Sequence, residues 1–127
     1  MERITEKSSS EVGKAIVCFQ YVERIKSELI IAARLIEQIG ELKGDELNGA
    51  NKVLALFLDA LQGEINIALN VSGRQDFEAA GVRVKSAAEK TRNFQFEEAI
   101  RLVSEAISSV ATSGQWAMQT LKENGFL

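Results

Sequence analysis

The sequence predicts an all-α protein, an up-and-down four-helix bundle with long helices one, two and four and a shorter helix three. Apolar residues recur three and four positions apart almost throughout, which is the period of a helix with one buried face. Proline, which would interrupt a long helix, is absent. Glycine and capping signals leave short connections, which favour antiparallel neighbours. We expect a flexible N-terminal segment over residues 1–9 and one helical-bundle domain over residues 10–127.

The first helix is predicted to begin at a capping box, the S-x-x-E pattern formed by Ser8 and Glu11. Gly40 and Gly44 are predicted to end it, because glycine reaches the left-handed conformation that closes a helix. Its predicted core stripe alternates three and four residues apart and consists of Cys18, Val22, Ile25, Leu29, Ala32, Ile36 and Ile39.

The second helix is predicted over residues 45–71, with Asp45 as its N-cap. The S-x-x-Q pattern of Ser72 and Gln75, which encloses Gly73, is predicted to end this helix and to cap the third. The third helix carries a predicted core stripe of Phe77, Ala80, Val84 and Ala87.

Asn93 marks the predicted joint before the fourth helix, and residues 124–126 are typical of a glycine C-cap whose next residue folds back onto the last turn. The segment Asn93–Ile100 (NFQFEEAI), followed by Val103 and Ala106, resembles the joint of helical-hairpin modules such as tetratricopeptide repeats and HEPN-type bundles. The resemblance assigns no functional residue, because the HEPN ribonuclease motif requires a histidine. The predicted core stripe of the fourth helix is Phe96, Ala99, Val103, Ala106, Val110, Ala117 and Leu121.

Two helices have too much apolar surface for a four-helix monomer, in which each helix exposes one face. Residues 53–58 and 29–33 are consecutive apolar runs that cover the whole circumference of their helices. Exposed apolar patches of this kind mark association sites. The sequence therefore predicts a homodimer or higher oligomer, with helix one, two or four at its interface. The candidate partner-binding residues are Trp116, Gly114, Met118, Phe57 and Ile31.

Segment 108–118, SSVATSGQWAM, is uncharged and rich in hydroxyl groups. Because the chain lacks histidine, a Ser–His or Cys–His nucleophile pair and a histidine-ligated metal are excluded. We interpret the segment as a helix face whose small side chains permit close packing and whose hydroxyls bond to carbonyls four residues back. Cys18, the only cysteine, lies on a core stripe and is expected to be a buried structural thiol. The sequence predicts no enzyme and no cofactor.

Carboxylates are the remaining candidates for metal chemistry. All-α nucleotide pyrophosphohydrolases use acidic pairs three residues apart, and this chain has none at that spacing. A carboxylate–metal nucleotide hydrolase is therefore a disfavoured alternative. Asp59 and Glu64 lie on the apolar second helix, either as its polar edge or as carboxylates buried for a purpose.

A second alternative function is that of a small RNA- or DNA-associated subunit. The candidate nucleic-acid residues on the third helix are Arg74, Arg83, Lys85, Lys90 and Arg92. Nearby acidic residues offset most of this charge, and the net charge of the chain is −3, so nucleic-acid binding is disfavoured.

Membrane insertion and secretion are not expected. The first seven residues, MERITEK, lack the apolar region of a signal peptide, and the apolar segment 53–72 contains two acidic residues. A cytoplasmic location is therefore predicted. The sequence as a whole favours a non-enzymatic helical-bundle protein that acts by self-association and partner binding.

Overall fold

The computed structural model describes residues 2–127, with side chains described from residue 10 onward. Four α-helices account for most of this range: α1 (Glu2–Ile39), α2 (Gly44–Ser72), α3 (Gln75–Arg92) and α4 (Phe96–Glu123). Within residues 2–127 there is no β-strand. The predicted all-α class is confirmed, as are the three long helices and the shorter third one.

The helices form a ring in which each packs against the next along the chain, and α4 closes the ring on α1. The connections of a few residues between successive helices force each helix to reverse direction. The architecture is therefore the predicted up-and-down four-helix bundle.

The core contains the residues that the helical spacing selected. On α1 the predicted stripe from Cys18 to Ile36 is buried, and Ile39 at its end is half-buried. The four predicted core residues of α3 are fully buried. On α4 the stripe from Ala99 to Leu121 is buried, whereas Phe96 is half-buried at the start of the helix. Period 3.6 thus identified the inward face of three helices correctly.

Several predicted helix boundaries were wrong. Helix α1 begins at Glu2, so Ser8 and Glu11 lie inside it rather than at its start. The N-cap of α2 is Lys43, and Asp45 lies instead in the first turn, where its charge complements the helix dipole. The predicted flexibility of residues 1–9 stays a prediction.

The α2–α3 joint uses the predicted residues differently. Gly73 adopts the left-handed conformation (φ 67°) and its N–H donates to the carbonyl of Leu69 at 2.7 Å, as a glycine C-cap does. The predicted capping box was wrong, because the N-cap of α3 is Arg74. The Ser72 hydroxyl instead accepts a hydrogen bond from the Arg74 N–H at 3.2 Å.

Two joints share one hydrogen-bond pattern. After α4, the N–H of Phe126 donates to the Leu121 carbonyl at 2.9 Å across Gly125, which has φ 80°, so the predicted glycine C-cap is confirmed. After α3, the N–H of Gln95 donates to the Lys90 carbonyl at 2.9 Å. Phe94 occupies the left-handed position there, with φ 60°.

Candidate association surface on helices α1 and α2

Six large apolar side chains remain exposed on the side of the bundle formed by α1 and α2. Their exposed fractions run from 38% to 68%. Helix α1 contributes Ile31 and Leu35, and helix α2 contributes Val53, Leu56, Ile67 and Val71.

On α2 the exposed apolar residues belong to a second stripe, which we call the outer stripe. Its members are three or four residues apart and all are exposed: Gly49, Val53, Leu56, Ala60, Gly63, Ile67 and Val71. The buried stripe of the same helix runs through Leu54, Leu58, Leu61, Ile65 and Ala68. The sequence run 53–58 is therefore divided between two sides of the helix, and the monomer covers one of them.

The ion pairs of α2 show which way the outer stripe points. Glu64 pairs with Arg24 of α1, and Asp59, on the other flank of α2, pairs with Arg92 of α3. Ala60 and Ile67, four residues before and three residues after Glu64, lie on its side of the helix, so this edge of the outer stripe borders α1. Gly63, four residues after Asp59, lies toward the other edge. The outer stripe forms one surface with Ile31 and Leu35.

Helix α2 passes the length and hydropathy test for a membrane span, contrary to the expectation from its two acidic residues. Only 33% of its most apolar stretch is buried inside the bundle. A core helix of a soluble protein passes the same test. Much of the apolar surface of α2 therefore lies outside the core.

Two glycines inside α2, Gly49 and Gly63, have no steric explanation within one copy of the chain. A Cβ at Gly49 or Gly63 would meet no heavy atom of the described residues within 4 Å. Glycine inside a helix costs about 1 kcal/mol relative to alanine. By contrast, a Cβ at Gly114 would lie 2.9 Å from Cγ1 of Val22, so the close approach of α1 and α4 requires that glycine. In a single copy of the bundle, no close contact offsets the helix-propensity cost of Gly49 and Gly63.

A small ionic cluster lies between α1 and α2. Arg24 Nε is 2.5 Å from Glu64 Oε1 and 3.7 Å from Glu28 Oε1. Burial, together with the hydrogen bond and the charge of Glu64, raises the pKa of Glu28 from 4.5 to about 7, although Arg24 opposes the shift. Charge at this seam therefore changes near neutral pH.

The five predicted partner-binding residues do not share one surface. Ile31 is exposed beside the outer stripe, and Phe57 is half-buried against the core beneath it. Gly114 and Met118 line a groove of about 710 Å³ between α1 and α4. Trp116 is half-buried on the opposite side of α4, where the Arg74 guanidinium lies 4.7 Å from the centre of its ring. The outer stripe was not predicted as a unit, although its seven-residue repeat is visible in residues 49–67.

The interpretation of segment 108–118 as a packed helix face is confirmed. The hydroxyls of Ser108, Ser109 and Thr112 donate to the carbonyls four residues earlier at 3.2–3.3 Å. Ser113 is fully buried and donates instead to Asp76 Oδ2 at 2.8 Å. Arg74 joins the same carboxylate at 2.8 Å and Ser113 Oγ at 3.3 Å. These contacts lock α4 to the start of α3.

Cys18 is buried, as predicted. Its Sγ donates a weak hydrogen bond to the backbone carbonyl of Ser113 at 3.7 Å. Burial raises the pKa of the Cys18 thiol, which keeps it protonated and unreactive.

The predicted basic face of α3 is divided between two sides of the helix. Arg83 and Lys90 point toward α4, and Arg92 points toward α2. Carboxylates neutralise most of the five predicted residues, in the pairs Arg74–Asp76, Arg83–Glu105, Lys90–Glu98 and Arg92–Asp59. Lys85 is exposed and forms no ion pair with a described residue. The residues do not form one continuous basic stripe.

The two carboxylates predicted on α2 do not converge on one site. Asp59 and Glu64 lie on opposite flanks of α2, and each is paired with an arginine. Among the described residues there is no group of three or more His, Cys, Asp or Glu side chains placed to hold a metal ion.

A second concave region lies where α2 meets the α3–α4 joint. It is an open cleft of about 570 Å³ that includes Asn51, Lys52, Leu56, Arg92 and Phe94. The Asn51 amide Nδ2 donates to the Thr91 carbonyl at 2.8 Å, and Asn51 Oδ1 is buried without a hydrogen-bond partner in the described part of the chain. The cleft joins the outer stripe at Leu56.

Comparisons with protein-family models, with curated proteins and with solved structures give no significant match to this chain. The fold and the surface define its class as an all-α four-helix bundle with an uncovered apolar face on α1 and α2.

Proposed function

We propose that this chain is a non-enzymatic assembly protein that acts by self-association and partner binding through the apolar face of α1 and α2. The observation that carries the proposal is the row of large apolar side chains left exposed there, with Val53 and Leu56 each about two-thirds exposed. An apolar patch that spans two helices favours burial against another protein surface.

The magnitudes favour a reversible complex. Burying a Val, Leu or Ile side chain completely contributes about 1.5–3 kcal/mol, and these side chains are already partly buried, so each adds on the order of 1 kcal/mol. Six such side chains from each of two copies add on the order of 12 kcal/mol. Association costs about 4–15 kcal/mol. The two figures are comparable, so the face supports a dimer in equilibrium with its monomer.

Sedimentation velocity from low to high micromolar concentration tests the proposal. We expect the wild-type chain to shift from 13.9 kDa toward twice that mass. Leu56→Asp places a charge in the middle of the face and should keep the protein monomeric with unchanged helical circular dichroism. Val82→Asp is the matched control, because Val82 is similarly exposed (60%) but lies on α3. A wild-type monomer at every concentration, or equal effects of the two variants, contradicts the proposal.

The nucleic-acid alternative has less support, because its candidate cations are divided and mostly paired. It predicts that Lys85→Glu weakens the binding of a fluorescent oligonucleotide at low salt. Fluorescence anisotropy that shows no binding by the wild-type chain discards it.

A further inference from the structure

We infer that two copies of this chain pair through α2 in antiparallel orientation, around a two-fold axis at Ala60. In this arrangement Leu56 of each copy is seated on Gly63 of the other. The inference rests on the proposed function and specifies the partner, a second copy, and the register. Its support is the order of large and small residues along the outer stripe.

The order of large and small residues along the outer stripe fits the outer stripe of a second copy that runs in the opposite direction. In an antiparallel pair centred on Ala60, Val53 faces the partner's Ile67, seven residues on the other side of the centre. Leu56 is four residues before Ala60 and Gly63 is three residues after it, so the two lie within one residue, about 1.5 Å along the axis, of the same level. The large side chain meets the small one twice, once on each side of the axis. A two-fold interface requires this reciprocity.

The same register explains Gly49 and Gly63, the two interior glycines of α2 that one copy of the chain leaves unexplained. Gly49 falls opposite the partner's Val71, which is half-exposed in the single chain. Each glycine therefore lies where a bulky apolar side chain arrives from the other copy. Without a Cβ at these points, the two helix axes can approach to about 8 Å. The helix-propensity cost of Gly49 and Gly63 is offset by packing that only the pair provides.

In a parallel pair of α2 helices, large residues do not fall opposite small ones. Each residue would then face its own copy, so Leu56 would meet Leu56 and Gly63 would meet Gly63. Crowding at one level and a void at another both destabilise an interface. The antiparallel register is therefore favoured over the parallel one.

The flank of α1 and the charge pattern agree with this register. The Arg24–Glu64 pair sets the level of α1 against α2 and places Leu35 beside Val53. The partner's Ile67 therefore meets both side chains. The outer stripe carries no charge, so two copies approach along it without direct repulsion despite a net charge of −3 each.

Cysteine cross-linking with a short bis-maleimide tests the register. We expect Ala60→Cys to cross-link with itself across the axis. Val53→Cys and Ile67→Cys should each fail alone and should cross-link when the two proteins are mixed. Wild type controls for buried Cys18, and exposed Val82→Cys controls for random collision. Self-linking of Val53→Cys, or failure of Ala60→Cys in a protein that sediments as a dimer, overturns the inference.

Sedimentation of the same samples separates failure of the register from failure of the proposed function. A dimer that does not cross-link at residue 60 overturns the register and leaves self-association standing, whereas a monomer removes both. A monomer that floats with lipid vesicles assigns the outer stripe to a membrane and also overturns the inference.

A glycine substitution gives a second readout that does not depend on cross-linking. Gly63→Leu fills the space that the partner's Leu56 would occupy and is expected to weaken dimerisation at least tenfold, although leucine is the better helix former. Gly13→Leu is the control, because a Cβ at Gly13 also meets open space among the described residues and Gly13 lies outside the outer stripe. Dimerisation that is unchanged or tighter in Gly63→Leu overturns the inference.

Discussion

Ser113 is a polar residue at a fully buried position, and its hydroxyl is satisfied across two helices. It donates to Asp76 in the first turn of α3 and accepts from Arg74 at the N-cap. Arg74 also lies over the Trp116 ring. Each group has a partner, so the network fixes the position of α3 against α4 without leaving a buried polar atom unpaired.

Removing the Ser113 hydroxyl should destabilise the bundle more than removing an exposed one. Ser113→Ala breaks the bond to Asp76 and is expected to lower the free energy of unfolding by about 1–2 kcal/mol. Thr112→Ala removes a hydroxyl that bonds only within its own helix and should change stability by less than about 0.5 kcal/mol. Urea unfolding measures both, and equal effects of the two variants contradict the role assigned to Ser113.

Glu28 makes the stability of the fold depend on pH near neutrality. Its pKa is raised from 4.5 in the unfolded chain to about 7 in the folded one, so folding favours the protonated form. Its contribution to stability is fully present below about pH 4.5 and is lost as the pH rises through about 7. Arg24 and Glu64 are the charged groups that face it.

Glu28→Gln should remove this dependence. We expect the variant to be more stable than wild type at about pH 8, because it carries no charge to lose hydration in the folded state, and to differ less at about pH 5. The measurement is the urea midpoint across this range. Glu37→Gln, at an exposed position on the same helix, is the control. A parallel pH profile for wild type and Glu28→Gln rules out the Glu28 assignment.

At the scale of the helix, glycines with the same intrinsic propensity have opposite roles. Gly114 allows α4 to approach Val22 of α1, whereas Gly63 faces open space in one copy of the chain. Gly114→Ala should cost about 1–3 kcal/mol by overpacking. Gly63→Ala, measured in monomeric Leu56→Asp protein, should raise the free energy of unfolding by about 1 kcal/mol, because alanine is the better helix former. Urea unfolding measures both variants. If both changes shift the free energy of unfolding in the same direction, the opposite roles assigned to Gly114 and Gly63 are wrong.

The helices were predictable because each one has a strong local signal. A stripe at period 3.6 identified the buried face of α1, α3 and α4, and the glycine joints limited their ends. Asp45 was misplaced because an acidic residue is favourable both at the N-cap and in the first turn, so the sequence does not separate the two positions.

The candidate surface was only partly predictable. Ile31 and Phe57 were selected because their helices are apolar all round, but which of two apolar sides faces outward depends on where neighbouring helices pack. Trp116 was selected by residue type, and its contact with Arg74 joins residues far apart in sequence. The spacing of apolar residues along one helix does not predict contacts between residues so far apart in the sequence.

At the scale of the whole molecule, the described ion pairs form within one copy of the bundle, whereas part of its apolar surface stays uncovered. Six of its seven described ion pairs link side chains of α1 with α2, α2 with α3, or α3 with α4, or lie within α1 or α4. Apolar surface, in contrast, remains on the outside of α1 and α2. A second copy can therefore add apolar burial without breaking an ion pair.

This asymmetry predicts that thermal stability depends on protein concentration. A dimer that forms only from folded chains stabilises the folded state by mass action, so a tenfold rise in concentration should raise Tm by about 3 °C for a chain of this size. Leu56→Asp should have the same Tm at every concentration, because it leaves no association to link with folding. Circular dichroism melts from about 1 to about 100 μM measure both. A constant Tm for wild type would show that folding and association are uncoupled and that the apolar face stays uncovered.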